Sequence, residues 1–78
     1  MNNFYFTFGF GHKDYDGNSL AHMFVKVTAD NYMKARILMV NKYGIKWAFQ
    51  YEEDNFLPQI EQFGLTELEH IIQKEQEL

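Results

Sequence analysis

The sequence predicts an α+β domain: a three-stranded antiparallel sheet ordered 2-1-3, built on a ββαβ core, with a long helix on one face and short C-terminal helices. Three observations support this class. Phe4, Phe6, Phe8 and Phe10 alternate with Tyr5, Thr7 and Gly9, the period of a strand. Tyr32, Ala35 and Met39 repeat at helical spacing, as on a helix buried against a sheet. Alternation then returns from Ile45 to Tyr51, with Ile45, Trp47, Phe49 and Tyr51 assigned to one side. The first and last of these stretches hold eight of the fourteen aromatic residues. A chain of 78 residues buries only about 60% of its unfolded surface. Aromatic side chains, at roughly 150–250 Å² each, compensate for that small core. Such a composition excludes a disordered chain, and the length allows one domain over 1–78.

The elements follow in order. Residues 4–10 are the first strand, and Gly11 to Ser19 is a loop in which Asp16-Gly17 suits the positive φ of a hairpin turn. Leu20 to Thr28 alternates again, with Met23, Val25 and Val27 on one side and His22, Phe24 and Lys26 on the other. A helix is expected from about Asp30 to Tyr43, capped by Thr28 or Asp30 and flanked by Ile37, Val40 and Tyr43. Gly44 stands where a C-terminal glycine belongs. After the third strand, Asp54 is placed to cap a short helix with Pro58 early in it and Phe63-Gly64 at its end. Thr66-Glu67-Leu68-Glu69 has the spacing of a capping box, which predicts a last helix with Leu68, Ile71 and Ile72 on its apolar side. Residues 73–78 are expected to fray. A strand–helix–strand crossover makes strands two and three parallel. Placing the aromatic first strand between them makes every neighbouring pair antiparallel and gives the order 2-1-3.

Composition limits the function. The chain has no cysteine, which removes disulfides, thiolate nucleophiles and cysteine-based zinc sites. A small secreted domain usually carries disulfides, and no Lys or Arg precedes Lys13 to form a signal peptide. No apolar run approaches the roughly 20 residues of a membrane helix. The expected location is therefore cytoplasmic, away from membranes. Charge is segregated: residues 1–51 carry six basic residues against three acidic, and residues 52–78 one against eight. Solvation of the C-terminal elements is the plain explanation; an acidic docking surface for a basic partner is the sharper one.

Chemical motifs are absent. Gly9-Phe10-Gly11 lacks the third glycine and the following helix of a dinucleotide loop. Asp14, Asp16 and Asn18 begin like a calcium loop, but its sixth and twelfth positions hold Ser19 and Val25. His12, His22 and His70 have no ligand spacing, and Ser19, the single serine, lacks a nucleophile elbow. No enzyme activity, metal or cofactor is expected.

Two partner-binding candidates remain. One is an acidic edge formed by Glu52, Glu53, Asp54, Glu61, Glu67 and Glu69. The other is an open sheet face presenting Tyr5, Thr7, Phe24, Lys26, Lys46 and Gln50, which has the ingredients of a base-stacking platform or of a protein-binding patch. That face is available only if the C-terminal helices do not cover Tyr5 and Phe24. The net charge of −4 weighs against nucleic acid, whose affinity comes largely from phosphate neutralisation.

Phe4-Tyr5-Phe6-Thr7-Phe8-Gly9, Ala35-Arg36, Tyr43-Gly44, Lys46-Trp47-Ala48-Phe49-Gln50-Tyr51 and Phe63-Gly64-Leu65 together resemble small accessory proteins carried by phages and mobile elements of Gram-positive bacteria. Small phage proteins of this kind include anti-CRISPR and other anti-defence inhibitors. The resemblance implies a non-enzymatic protein in a bacterial cytoplasm that binds and inhibits a host defence nuclease, and it carries over no functional residue. In that reading the acidic edge imitates phosphate in a basic channel. The alternatives are a nucleic-acid-binding module that uses the sheet face, and a homodimeric structural protein paired through an edge or that face.

Overall fold

The computed structural model describes residues 1–9, 11–14 and 16–74. In chain order the elements are β1 (Asn2–Thr7), β2 (Met23–Ala29), α1 (Tyr32–Tyr43), β3 (Phe49–Glu52), α2 (Glu53–Phe63) and β4 (Thr66–Ile72). They form a four-stranded mixed sheet ordered β3-β1-β2-β4, so the α+β class holds. β1 lies between β2 and β3 and is antiparallel to both, with Phe6 opposite Val25 on one side and Gln50 on the other.

The sheet is larger than the expected three strands, and α2 is the single helix after it among the described residues. Residues 66–72 extend the open edge of β2 as a parallel strand, Thr66 opposite Met23 and Ile72 opposite Thr28. That edge is a long-range template invisible to local spacing. The Thr66 N–H donates to the His22 carbonyl at 2.9 Å and the Gln73 N–H to that of Thr28 at 2.8 Å. The first bond serves the Thr66 donor that a capping box would otherwise serve, and the second replaces an intrahelical bond. Thr66, Ile71 and Ile72 are β-branched, which favours the pleated alternative.

Because β1 is antiparallel to β2 and β3, those two strands are parallel to each other, and β4 is parallel to both. α1 and α2 are thus crossover helices running in opposite directions across the sheet. One shared hand then requires them on opposite faces. On the α1 face, Phe4, Phe6, Phe8, Val25 and Val27 pack with Ala35 and Met39. On the other, Tyr5 and Phe24 pack under Phe56 of α2.

Element ends depart from expectation for identifiable reasons. β1 ends at Thr7, though Phe8 stays in the core; Phe10, expected in this strand, lies outside the described residues. β2 starts at Met23, yet Leu20 is buried before it. The cap of α1 is Asn31, whose Oδ1 accepts the Lys34 N–H at 2.9 Å; Thr28 belongs to β2 and Asp30 precedes the cap. β3 begins at Phe49, not Ile45, because Trp47 leaves the sheet line to meet Phe6 edge-on at 4.9 Å, with Arg36 over its ring at 5.1 Å. Ile45 is 90% exposed. Glu52, not Asp54, holds the cap position of α2, without a side-chain bond, and Pro58 lies inside the helix. Both helices end on a glycine at positive φ, Gly44 at 64° and Gly64 at 63°, which spares a side chain a steric clash. Of the expected frayed tail, Gln73 is held by two bonds to Asp30 at 2.9 and 3.0 Å, and residues 75–78 lie outside the described residues. No helix among the described residues is long and apolar enough to cross a membrane.

Candidate partner-binding site

The acidic candidates do not form one edge. Glu52 ends β3 at one side of the sheet, and Glu67 and Glu69 lie on β4 at the other, three strand spacings or roughly 14 Å away. A bulge between the partners of Phe24 and Val25 places Leu68 between Glu67 and Glu69. Two residues apart, those carboxylates would ordinarily share a face; the extra residue sends them to opposite faces. Glu67 lies opposite Phe24, on the α2 side, while Glu69 accepts the Tyr43 hydroxyl at 2.5 Å and pairs with Lys42 of α1. Burial alone would raise the Glu69 carboxyl, but the Lys42 and Tyr43 hydrogen bonds outweigh it and hold it below the usual range.

Glu53 is also engaged. Its Oε2 accepts Asn3 Nδ2 at 2.9 Å and the Tyr5 hydroxyl at 3.0 Å. The network continues as the Thr28 hydroxyl donates to Asn3 Oδ1 at 2.7 Å, leaving His70 Nε2, also at 2.7 Å, to donate to Thr28. The Asn3 hydrogen bond, then that of Tyr5, then the Lys26 charge lower the Glu53 carboxyl below its usual value. Burial, followed by the Glu53 hydrogen bond, pushes Tyr5 up to about 12. Burial and then the Glu69 hydrogen bond raise Tyr43 as well. These groups pin α2 and α1 to the sheet.

Their linkage has a definite sign. A lowered carboxyl stabilises above its ordinary value, near 4.3, and that contribution is lost as pH falls through the folded value. A raised phenol stabilises below its ordinary value, near 10, and that contribution is lost as pH rises toward the folded value. Thermal melts should therefore be flat from about pH 5 to 9 and fall on both sides. The acid fall should be shallower in Glu53→Gln/Glu69→Gln and the alkaline fall shallower in Tyr5→Phe/Tyr43→Phe. Unchanged slopes would show that these bonds do not couple protonation to folding.

What remains of the acidic set is a compact pole. Glu53 and Asp54 occupy the first turn of α2, where negative charge complements the helix dipole. With Glu52 and the start of β1 they line a cleft of about 390 Å³ reaching from Met1 to Phe4. Along α2, Asp54, Leu57 and Glu61 follow at i, i+3 and i+7, all exposed, with Pro58 beside them. Asp54 and Glu61 are thereby about 10 Å apart along the axis, with Leu57, 48% exposed, between them. Leu57 is missing from both sequence candidates; the signal that could have found it is the i, i+4 pair Phe56 and Ile60, whose burial turns Leu57 outward.

The sheet-face candidate is not exposed. Tyr5 is 3% and Phe24 5% accessible, because Phe56 stacks on Tyr5 at 5.0 Å and meets Phe24 edge-on at 5.3 Å. Lys26 and Thr7 share that face and are half-buried. Gln50 is on the α1 face, where its Nε2 donates to the Tyr32 carbonyl at 2.9 Å. Lys46 lies in the loop after α1 and borders a different cleft. A base-stacking platform from these six residues is thus taken apart by α2 and by the late start of β3.

Another surface escapes period-based reading. Met33, Ile37 and Val40 form an exposed apolar stripe on α1, opposite the buried stripe of Ala35 and Met39. Among the described residues no group of three or more His, Cys, Asp and Glu side chains could hold a metal. No family model, curated protein or solved structure matches the chain.

Proposed function

We propose that this protein is a non-enzymatic binding domain whose acidic α2 pole docks on a basic protein surface, and that the surface it occupies is the nucleic-acid channel of a host defence nuclease. The carrying observation is the division of labour among the carboxylates. Glu53 and Glu69 are consumed by the fold, whereas Glu52, Asp54 and Glu61 are exposed without a cationic partner among the described residues. Leu57 adds an apolar centre to that charged rim, the arrangement of a protein contact. The chain's resemblance to phage accessory proteins supplies the target class. Burial of Tyr5 and Phe24 weighs against the nucleic-acid-binding alternative. The homodimer alternative through the sheet face loses its surface to α2. Self-pairing at the β4 edge is opposed by its bulge and glutamates.

The test reverses the free charges and spares the two structural ones, Glu53 and Glu69. Glu52→Lys/Asp54→Lys/Glu61→Lys should keep a cooperative melt, lowered by a few degrees because lysines oppose the α2 dipole, and should lose at least about tenfold in affinity for a nuclease captured from host lysate. Parent binding should weaken steeply with salt, as steering by exposed charge does. Undiminished capture by the triple variant sinks the acidic-pole reading. Partners that vanish on nuclease digestion would return nucleic acid to first place.

A further inference from the structure

On the α1 side of the sheet, Phe8 just after β1, residues 11–14, Leu20, the last turn of α1, Lys46 and β4 enclose a second cleft of about 590 Å³, within the range of small-molecule sites. Its floor is apolar, from Phe8, Leu20 and Leu68. The His12 and Tyr43 rings meet Phe8 edge-on at 6.4 and 5.8 Å, forming two aromatic walls. The rim carries Lys13, Lys42 and Lys46 with Asp14 among them, and Glu69 accepts from Lys42 and Tyr43 at its border.

The cleft's charge balance is smaller than its lining alone suggests but stays positive, because Lys13 and Lys46 still outnumber Asp14 once Lys42 is paired with Glu69. Asp14 keeps its negative charge, since its Oδ1 accepts the N–H groups of Asp16 and Asn18 at 2.9 Å each and the Asn18 bond leads in lowering its carboxyl. These bonds nonetheless hold Asp14 in its own turn. It closes the turn of the hairpin that carries Lys13. Lys42 is spoken for by Glu69. Lys13 and Lys46 are exposed and have no ion pair among the described residues. The negative end of the α1 dipole opposes an anion here, and its terminal carbonyls are partly answered. Val40 accepts from Gly44 N–H at 2.8 Å, Tyr43 from Lys46 N–H at 3.1 Å, and Gly44 from Trp47 Nε1 at 3.0 Å.

We propose that this cleft binds a small organic anion with a short apolar body, the body on Phe8, Leu20 and Leu68 and the anionic head between Lys13 and Lys46. A neutral apolar ligand would leave both ammonium groups idle, and a polyanion would waste the apolar floor. The site lies on the face opposite α2, so it is independent of the acidic-pole reading.

The experiment is an amide-resolved NMR titration of the intact protein with octanoate, and with octanol and octylammonium as neutral and cationic counterparts. Octanoate should move the amides of Gly11, Lys13, Leu20, Lys46 and Leu68, and octanol should bind about tenfold more weakly. Lys13→Glu/Lys46→Glu should reduce octanoate affinity by about tenfold or more at unchanged melting temperature. Leu68→Glu, at a half-exposed bulge position, is the second variant and should abolish the shifts. Equal binding of octanol and octanoate, shifts centred on Met33, Ile37 and Val40, or no shifts at millimolar octanoate would each overturn the proposal.

Discussion

Phe56→Ala should destabilise the domain by about 3–5 kcal/mol, the range for deleting a buried phenylalanine, and should detach α2 from the sheet. Phe56 is 0% exposed and is the one buried residue of its helix. It stacks on Tyr5 at 5.0 Å and on Tyr51 at 5.2 Å, and meets Phe24 edge-on at 5.3 Å. Each such pair contributes about 0.5–1.5 kcal/mol beyond area burial, so one truncation removes three aromatic contacts together. What remains to hold α2 is Glu53 on Asn3 and Tyr5 and half-buried Ile60. An eleven-residue helix interrupted by Pro58 lacks the length to persist without packing. Hydrogen exchange should show α2 amides losing protection first, with Tyr5 and Phe24 becoming accessible to an apolar dye. Protected α2 amides in a variant with the parent melting temperature would mean that Phe56 does not anchor the helix.

The same residue shows why the chain's faces were hard to assign from its pattern. Period-two alternation at Phe4, Phe6 and Phe8 identifies a strand and its inward face, and crossover parity places β1 between β2 and β3. Both are consequences of backbone geometry that survive any tertiary context. Whether Tyr5 and Phe24 are exposed depends on whether Phe56, more than thirty residues later, reaches them. No local period encodes that distance. β4 fails the local test for a related reason: Thr66 and Glu69 have capping-box spacing, while the partner that decides the matter is the unfilled edge of β2. The acidic site was half legible. Glu52 and Asp54 remain together because they are neighbours along the chain at a helix start. Glu67 and Glu69 are separated from them by sheet order, and from each other by the Leu68 bulge. Charge counted along a sequence becomes a surface only after topology has sorted it.

Phe6→Ala should be the most damaging single truncation on the α1 face, at about 3–5 kcal/mol. Phe6 is 0% exposed and has the largest side chain of those fully buried on that face. It lies on the central strand opposite Val25, and Trp47 meets it edge-on at 4.9 Å. A 78-residue domain has only about 4–12 kcal/mol to lose, so much of the population should unfold at 37 °C. Phe6→Leu, which keeps most of the volume, should cost less than about 1.5 kcal/mol and retain a cooperative melt. The pair of truncations also tests the two-layer architecture. Phe6 and Phe56 belong to separate cores on opposite faces of β1 and share no aromatic contact. The milder Phe6→Leu and Phe56→Leu should therefore add within about 0.5 kcal/mol in chemical denaturation. A coupling above 1 kcal/mol would mean that β1 transmits packing strain between its faces. In that case the two helices would clamp one shared core, and the two layers could not be treated as independent.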